Sequence, residues 1–173
     1  MSTTPAKIRV FVGERFACIK ITGRANFTSS IDFKTLVNEL LQKGCGYFVL
    51  DLSECTLMDS TFLGVLAGFG LKSTARNESG GAEIELLNPN DRVMELLDSL
   101  GVLHLFKVVQ GKPQDGSTEA QSVTPACPTK DEVKRACLEA HQTLMELNPH
   151  NAARFKEVAA FLAEDLKKTR PSP

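Results

Sequence analysis

The stretch at residues 47–72 constrains the fold of this chain more than any other part of the sequence. Residues 47–50, Tyr-Phe-Val-Leu, form an unbroken apolar run rich in aromatic and branched side chains. Such a run is typical of a central strand covered on both faces. The run Asp-Ser-Thr at 59–61 then supplies helix-capping side chains directly before the apolar residues 62–69. A helix is therefore predicted to begin there, with Ser60 at its start.

Two glycines, Gly64 and Gly68, lie four residues apart in this apolar helix. Each glycine lowers intrinsic helicity by about 1 kcal/mol relative to alanine, so packing has to supply the difference. The spacing predicts a helix that lies close against a sheet.

Further strands and helices are predicted from the alternation and the helical spacing of apolar residues. The predicted strands are at 8–12, 17–21, 83–86 and 106–109, and the predicted helices are at about 28–44 and 91–101. Together with the central strand and its helix, the order is β-β-α-β-α-β-α-β. This alternation predicts a layered α/β domain with a mixed β-sheet and packed helices.

The composition changes after the α/β domain, which is predicted at residues 1–109. Residues 110–128 are rich in Gly, Pro, Ser, Thr and Gln, so a flexible linker is predicted. Residues 129–170 show two apolar stripes at helical spacing and predict a C-terminal helical hairpin. This hairpin is small for independent stability. It is predicted to pack on itself and on either its own α/β domain or a partner chain, which includes self-association.

The bulk composition limits the classes of partner. With 42% hydrophobic residues, 24% charged residues and a net charge of −1, the chain is expected to have a packed core and no basic excess for nucleic acid. The apolar run at 62–71 is shorter than the ~20 residues of a membrane span, and no signal-peptide pattern is present, so no membrane partner and a cytoplasmic location are predicted. Five cysteines without a Cys-x-x-Cys pair indicate reduced thiols.

The sequence carries no pattern typical of catalysis. It has neither a Gly-Lys-Ser/Thr phosphate loop nor a Gly-x-Ser-x-Gly elbow. His104, His141 and His150 are isolated in the sequence, so surface or capping roles are predicted for them rather than metal ligation. Asp59 is adjacent to Ser60, but no histidine is near in sequence. No catalytic residue, metal or cofactor is predicted, and the chain is not expected to be an enzyme.

The residues around the predicted crossing resemble a known family. Asp-Leu-Ser at 51–53, Met-Asp-Ser-Thr at 58–61 and Leu-Gly-Val-Leu at 63–66 are similar to the STAS domain, named for sulfate transporters and anti-sigma factor antagonists. A looser similarity in the order of strands and helices extends over about residues 6–109. The resemblance implies a regulatory protein-binding module of the anti-sigma factor antagonist type.

The resemblance also implies a site. In the bacterial antagonists the hydroxyl residue directly after the aspartate is phosphorylated, which corresponds to Ser60 here. The implied partners are an anti-sigma factor that is a serine kinase using ATP and a cognate phosphatase. Phe62 stands where the family usually has glycine, and Asn26 stands where an acidic residue is common. The residues expected to contact a partner are Asn26, Asp59, Ser60, Thr61 and Phe62.

Two alternatives stay open from the sequence. A serine or aspartate before an apolar helix is ordinarily an N-cap, so Ser60 has a purely structural interpretation beside the regulatory one. The chain is also consistent with a non-phosphorylated STAS scaffold that holds a signalling complex together. Phe62 and the C-terminal hairpin favour this second hypothesis.

Overall fold

The computed structural model describes residues 6–77, 83–111, 121–123 and 127–169. The strands are β1 (Lys7–Val12), β2 (Phe16–Ala25), β3 (Tyr47–Asp51), β4 (Cys55–Met58), β5 (Glu83–Leu87), β6 (Lys107–Val109) and β7 (Gln121–Ser122). The helices are α1 (Phe27–Gln42), α2 (Ser60–Asn77), α3 (Asp91–Ser99), α4 (Lys130–Leu147) and α5 (His150–Thr169). A short 3₁₀ turn at Leu103–Leu105 precedes β6.

The strands form a mixed sheet in the order β6-β5-β3-β2-β1-β7, and β4 pairs with β2 beside this path. Strands β2, β3, β5 and β6 are parallel, whereas β1 is antiparallel to both β2 and β7. Phe48 and Leu50 of β3 are fully buried, while Tyr47 and Val49 are only half-buried. The predicted α/β class and mixed sheet are confirmed, whereas the prediction that β3 is covered on both faces holds in full for one face and only in part for the other.

Two short strands were not predicted. Strand β4 lies in the stretch that the sequence indicated as a crossing, and it pairs in parallel with β2 at Arg24 and Ala25. Strand β7 lies within the predicted linker, where it pairs with β1, and the Val123 N–H donates to the Ile8 carbonyl at 2.9 Å. This part of the linker is therefore held by the sheet rather than flexible. The rest of the linker prediction at 112–120 and 124–126 lies outside the described residues.

Helices α1 and α2 pack on the sheet through a cluster of phenylalanines. The ring centroids of Phe33 and Phe62 are 5.1 Å apart, and those of Phe48 and Phe69 are 4.9 Å apart with the rings at 88°. Phe33, Phe48 and Phe62 are fully buried. The contact between Phe48 and Phe69 is edge-to-face, a geometry that adds to the favourable free energy of burying the rings. The cluster fixes the start of α2 against α1 and the central strand.

The C-terminal hairpin, α4 and α5, forms an outer layer in which α4 packs along α2 and α5 packs along α4. The buried Asn151 amide donates to the carbonyls of Leu100 at 2.9 Å and Leu144 at 2.8 Å, which joins the turn of the hairpin to the end of α3. Lys34 of α1 also pairs with Glu139 of α4 at 3.0 Å. The sequence left open whether the hairpin packs on its own α/β domain or on a partner chain. The structure shows it packed on its own α/β domain.

Gly64 and Gly68, two of the three glycines of α2, face α4. A Cβ placed on Gly64 would collide with the backbone carbonyl and the methyl group of Ala140, whereas a Cβ on Gly68 would lie 3.7 Å from Thr143 Cγ2 in ordinary contact. The predicted close approach is present at Gly64, but its neighbour is a helix. Helix α2 does lie against the sheet, as predicted, but it does so through Phe69, and the close approach at Gly64 is to α4.

Candidate functional site

Asp59 is the residue that caps α2. Its Oδ1 accepts from the Phe62 N–H at 2.8 Å, and its Oδ2 accepts from the Phe27 N–H at 2.7 Å. One carboxylate therefore binds the first turns of both α2 and α1, where free N–H groups favour an anion. Burial raises the pKa of Asp59 above its ordinary value, and the N–H donors together with His141 act in the opposite direction.

Ser60 is the first residue of α2, and its side chain is bound to the C-terminal hairpin. Ser60 Oγ lies 2.8 Å from Nε2 of His141, and Nδ1 of the same ring lies 2.7 Å from the carbonyl oxygen of Cys137. A carbonyl oxygen only accepts, so in the neutral ring Nδ1 carries the hydrogen and Nε2 is the acceptor. The Ser60 hydroxyl consequently donates to His141. Ser60 is half-buried.

His141 is enclosed by the hairpin. It is only 5% exposed, and its ring centroid lies 4.8 Å from that of Phe155 in α5. Burial lowers the pKa of His141, while the Cys137 carbonyl and the Asp59 charge oppose that shift. The sequence prediction of a surface or capping role is wrong for His141, whereas His104 and His150 are exposed. Its position four residues after Cys137, on the apolar stripe of α4, is the sequence feature that indicated a buried side chain.

Two of the predicted partner contacts are not available at the surface. Phe62 is fully buried in the phenylalanine cluster. Thr61 is 4% exposed, and its hydroxyl donates to Cys137 Sγ at 3.3 Å. The expectation that both side chains contact an external partner is therefore corrected, because the helical turn directs Phe62 to the core and Thr61 to α4.

Asn26 begins α1 at the same end of the molecule. Its Oδ1 accepts from the backbone N–H groups of Thr28 and Ser29, both at 3.1 Å, and the Ser29 hydroxyl accepts from the Asn26 N–H at 2.9 Å. This reciprocal arrangement is a capping box, which explains a neutral residue at this position. Phe27, which the sequence analysis did not single out, is 44% exposed beside Asp59. We call Asn26, Phe27, Asp59 and Ser60 the helix-start surface.

A second concave region lies between α1, α2 and α4, with a volume of about 550 Å³. Charged side chains of both signs line it, among them Lys34, Lys72, Arg135 and Glu139, and Ser60 is not part of it. Among the residues that the structure describes, no group of three His, Cys, Asp or Glu side chains is placed to hold a metal ion. Within the same residues, no helix has the length and apolar character needed to cross a membrane.

Comparison with known families and structures agrees with this fold. The model of the STAS domain family matches residues 7–113, and the chain belongs to that family. The matched region ends before α4 and α5, so the hairpin that contacts Ser60 lies outside it. No curated protein sequence matches the chain.

Three solved structures show the same architecture. The unphosphorylated anti-sigma factor antagonist SpoIIAA is 14% identical over 62% of this chain and 90% of its own, with a TM-score of 0.52. A putative anti-sigma factor antagonist from Thermotoga maritima is 22% identical over 62% and 89%, with a TM-score of 0.52. The phosphorylated Bacillus cell fate determinant SpoIIAA is 14% identical over 62% and 94%, with a TM-score of 0.50. At these identities the likeness establishes the fold.

Proposed function

We propose that this chain is a protein-binding regulatory module of the anti-sigma factor antagonist type, in which phosphorylation of Ser60 decides whether a partner binds. The observation that carries the proposal is the place of Ser60 in a STAS-family chain. It is the first residue of α2, directly after the capping Asp59, and it is half-buried rather than enclosed. Antagonists of the same fold have been solved in both unphosphorylated and phosphorylated forms, which supports this choice.

The proposed switch is a change of charge. The γ-phosphoryl group of ATP is transferred to Ser60 Oγ, ADP leaves, and the hydroxyl proton passes to a base of the kinase. The new group adds about −1.5 to −2 charges at pH 7. The N-terminus of α2 tolerates an anion because its free N–H groups and dipole favour one. The α/β domain therefore stays folded while its surface changes.

The partner is an anti-sigma factor that is also the serine kinase, and a phosphatase resets the site. The anti-sigma factor contacts the helix-start surface, where Phe27 supplies exposed apolar area and Ser60 supplies a neutral hydroxyl. After phosphorylation the same partner meets a dianion beside the Asp59 carboxylate. Like charges brought together at an interface cost several kcal/mol, and each 1.4 kcal/mol is tenfold in affinity. Release by two or more decades is the expected effect.

A second candidate function is a non-phosphorylated scaffold. The contacts between the hydroxyls of α2 and α4 favour it, because the Ser60 hydroxyl binds His141 and the Thr61 hydroxyl binds Cys137. Hydroxyls engaged in this way have a structural role without any modification. In this hypothesis the STAS domain and the hairpin form one rigid surface that assembles other proteins.

Two measurements test the proposed function. The full chain is incubated with ATP and an extract of the native organism, and intact mass followed by peptide mapping is expected to show one phosphate on Ser60. Ser60→Asp and Ser60→Asn, which match in shape and differ in charge, are then compared for partner capture from that extract. Ser60→Asn is expected to bind at least tenfold more partner than Ser60→Asp. Equal binding by the two folded variants, or no phosphate on Ser60, favours the scaffold.

A further inference from the structure

The N-terminal half of α2 is covered by a segment of the same chain. Going along α2, Ser60 binds His141, Thr61 binds Cys137, and Gly64 lies against the Ala140 backbone. These three contacts fall on one face of α4, at positions three and four residues apart. The face of α2 beside the helix-start surface is thus already an interface, and its occupant is α4.

We propose that this face of α2 is a helix-binding surface on which α4 docks in cis, and that phosphate on Ser60 displaces α4 from it. The inference rests on the proposed function in one respect, that Ser60 is the residue modified. The docked hairpin is then one wall of the surface that the external partner contacts. Phosphorylation therefore displaces the hairpin from this surface and also adds negative charge to it.

The first argument for displacement is space. The 2.8 Å between Ser60 Oγ and His141 Nε2 is a direct hydrogen bond and leaves no room for a phosphorus atom and its oxygens. The imidazole is held in place, because its ring centroid lies 4.8 Å from that of Phe155 and its Nδ1 donates to the Cys137 carbonyl at 2.7 Å. Close contact of Gly64 with Ala140 prevents α4 from shifting towards α2. The helix has to move away as a unit.

The second argument is charge. The titratable groups beside Ser60 are Asp59, which precedes it, and His141, which its hydroxyl binds, while the Cys137 thiol lies next to them as the partner of Thr61. Asp59 repels a phosphate, and the Cys137 thiol offers no positive charge. Burial lowers the pKa of His141, so the ring is neutral near pH 7 before phosphorylation, and charging it to pair with a phosphate works against its burial in the hairpin. The docked arrangement suits a hydroxyl and disfavours its phosphate ester.

The third argument is that the hairpin can dissociate from α2 without unfolding the α/β domain. The phenylalanine cluster that holds α2 on the sheet lies on the opposite side of the helix from α4. Contacts of α4 with α1 include the exposed Lys34–Glu139 pair, which contributes little. Release of the hairpin exposes Leu144, which is buried with the core, and breaks the Asn151 bond to Leu100, but it leaves the phenylalanine cluster in place.

The test uses the full chain carrying phosphoserine at position 60, introduced during translation, and compares it with the unmodified chain by hydrogen–deuterium exchange. A matched control carries phosphoserine at 56, in place of the exposed Thr56 of β4. Amides of α4 are expected to lose protection at least tenfold with phosphate at 60 and to keep it with phosphate at 56, while α1 and β3 stay protected in both. Unchanged α4 protection, or loss of protection throughout the chain, overturns the inference.

A second variant removes the charge from the test. Gly64→Leu expels α4 by bulk alone and is expected to give the same exchange pattern with Ser60 unmodified; a protected α4 in this variant overturns the packing argument. The proposed function fails separately, if extract leaves Ser60 without phosphate. Ser60 could be phosphorylated and control partner binding while the amides of α4 stay protected. That result would support the proposed function and contradict this inference.

Discussion

Ser60 Oγ and His141 Nε2 are joined by a hydrogen bond of 2.8 Å across 81 residues of sequence. The bond links the first residue of α2, within the STAS family match, to a helix outside that match. The residue that the family resemblance marks for regulation is therefore also the residue that binds the C-terminal extension of this chain. The contacts around this bond lead to four predictions.

The glycines of α2 provide a matched pair of substitutions. Gly64→Ala places a methyl group against the Ala140 backbone and is expected to destabilise the chain by about 1–3 kcal/mol, the usual cost of overpacking. Gly68→Ala places a methyl group in ordinary contact with Thr143 and is expected to be neutral or to stabilise by up to about 1 kcal/mol through helix propensity. Urea unfolding of both variants measures the difference. Equal free energies of unfolding would contradict the close packing of α2 and α4 at Gly64.

The buried His141 is expected to make the stability of the folded chain depend on pH. Burial lowers its pKa in the folded chain, so the unfolded chain binds the proton first as the pH falls. The contribution of the neutral ring is complete above the ordinary histidine pKa of about 6.5 and is lost as the pH falls below it. His141→Gln keeps an acceptor for the Ser60 hydroxyl without a titrating ring. Asp59 and Cys137, which face the ring, are present in both proteins.

The measurement is the free energy of unfolding of wild type minus that of His141→Gln, taken between about pH 7.5 and about pH 5, on either side of that ordinary value. This difference is expected to become less favourable to wild type as the pH falls. A difference that is independent of pH would show that the ring does not titrate in a buried position.

Asn151 anchors the turn of the hairpin, and its removal should cost more than that of an exposed asparagine. Asn151→Ala leaves the buried carbonyls of Leu100 and Leu144 without this donor, at about 1–3 kcal/mol for an unpaired buried group. Asn38→Ala on the exposed side of α1 serves as the control and is expected to lie within about 0.5 kcal/mol of wild type. Thermal unfolding of the two variants tests this. Matching melting temperatures would rule out the anchoring role.

Asp59 joins the starts of two helices, so its replacement should affect both. Asp59→Ala is expected to cost about 1–2 kcal/mol, at the upper end for an N-cap, because Phe62 and Phe27 both lose their acceptor. Asp59→Asn keeps one acceptor oxygen and is expected to fall between Ala and wild type. Chemical denaturation orders the three proteins. An alanine variant as stable as wild type would remove Asp59 from the cap.

The order of strands and helices could be predicted because it is written in local patterns. The buried run of β3, the alternation in β1 and β2 and the capping aspartate before α2 each act within a few residues of sequence. Strands β4 and β7 are four and two residues long. Their existence depends on partners in β2 and β1, which no local pattern indicates.

The site was predictable only in part for a related reason. The Asp59-Ser60 pair could be placed at a helix start from sequence, but the partner of the Ser60 hydroxyl is 81 residues away. The direction in which each side chain of this turn points could not be predicted from the sequence either. Thr61 and Phe62 follow Ser60 directly, yet one faces α4 and the other the phenylalanine cluster, because successive residues of a helix point about 100° apart.

Strand β7 limits how far the hairpin can travel. Val123 is bound to β1, and α4 begins seven positions further along the chain at Lys130, so the covalent chain keeps these two residues within roughly 25 Å of each other. In the proposed switch, a hairpin that leaves α2 stays tethered to its own domain, so its return is an intramolecular step. Recapture then needs no second molecule, and we expect removal of the phosphate to restore the closed arrangement.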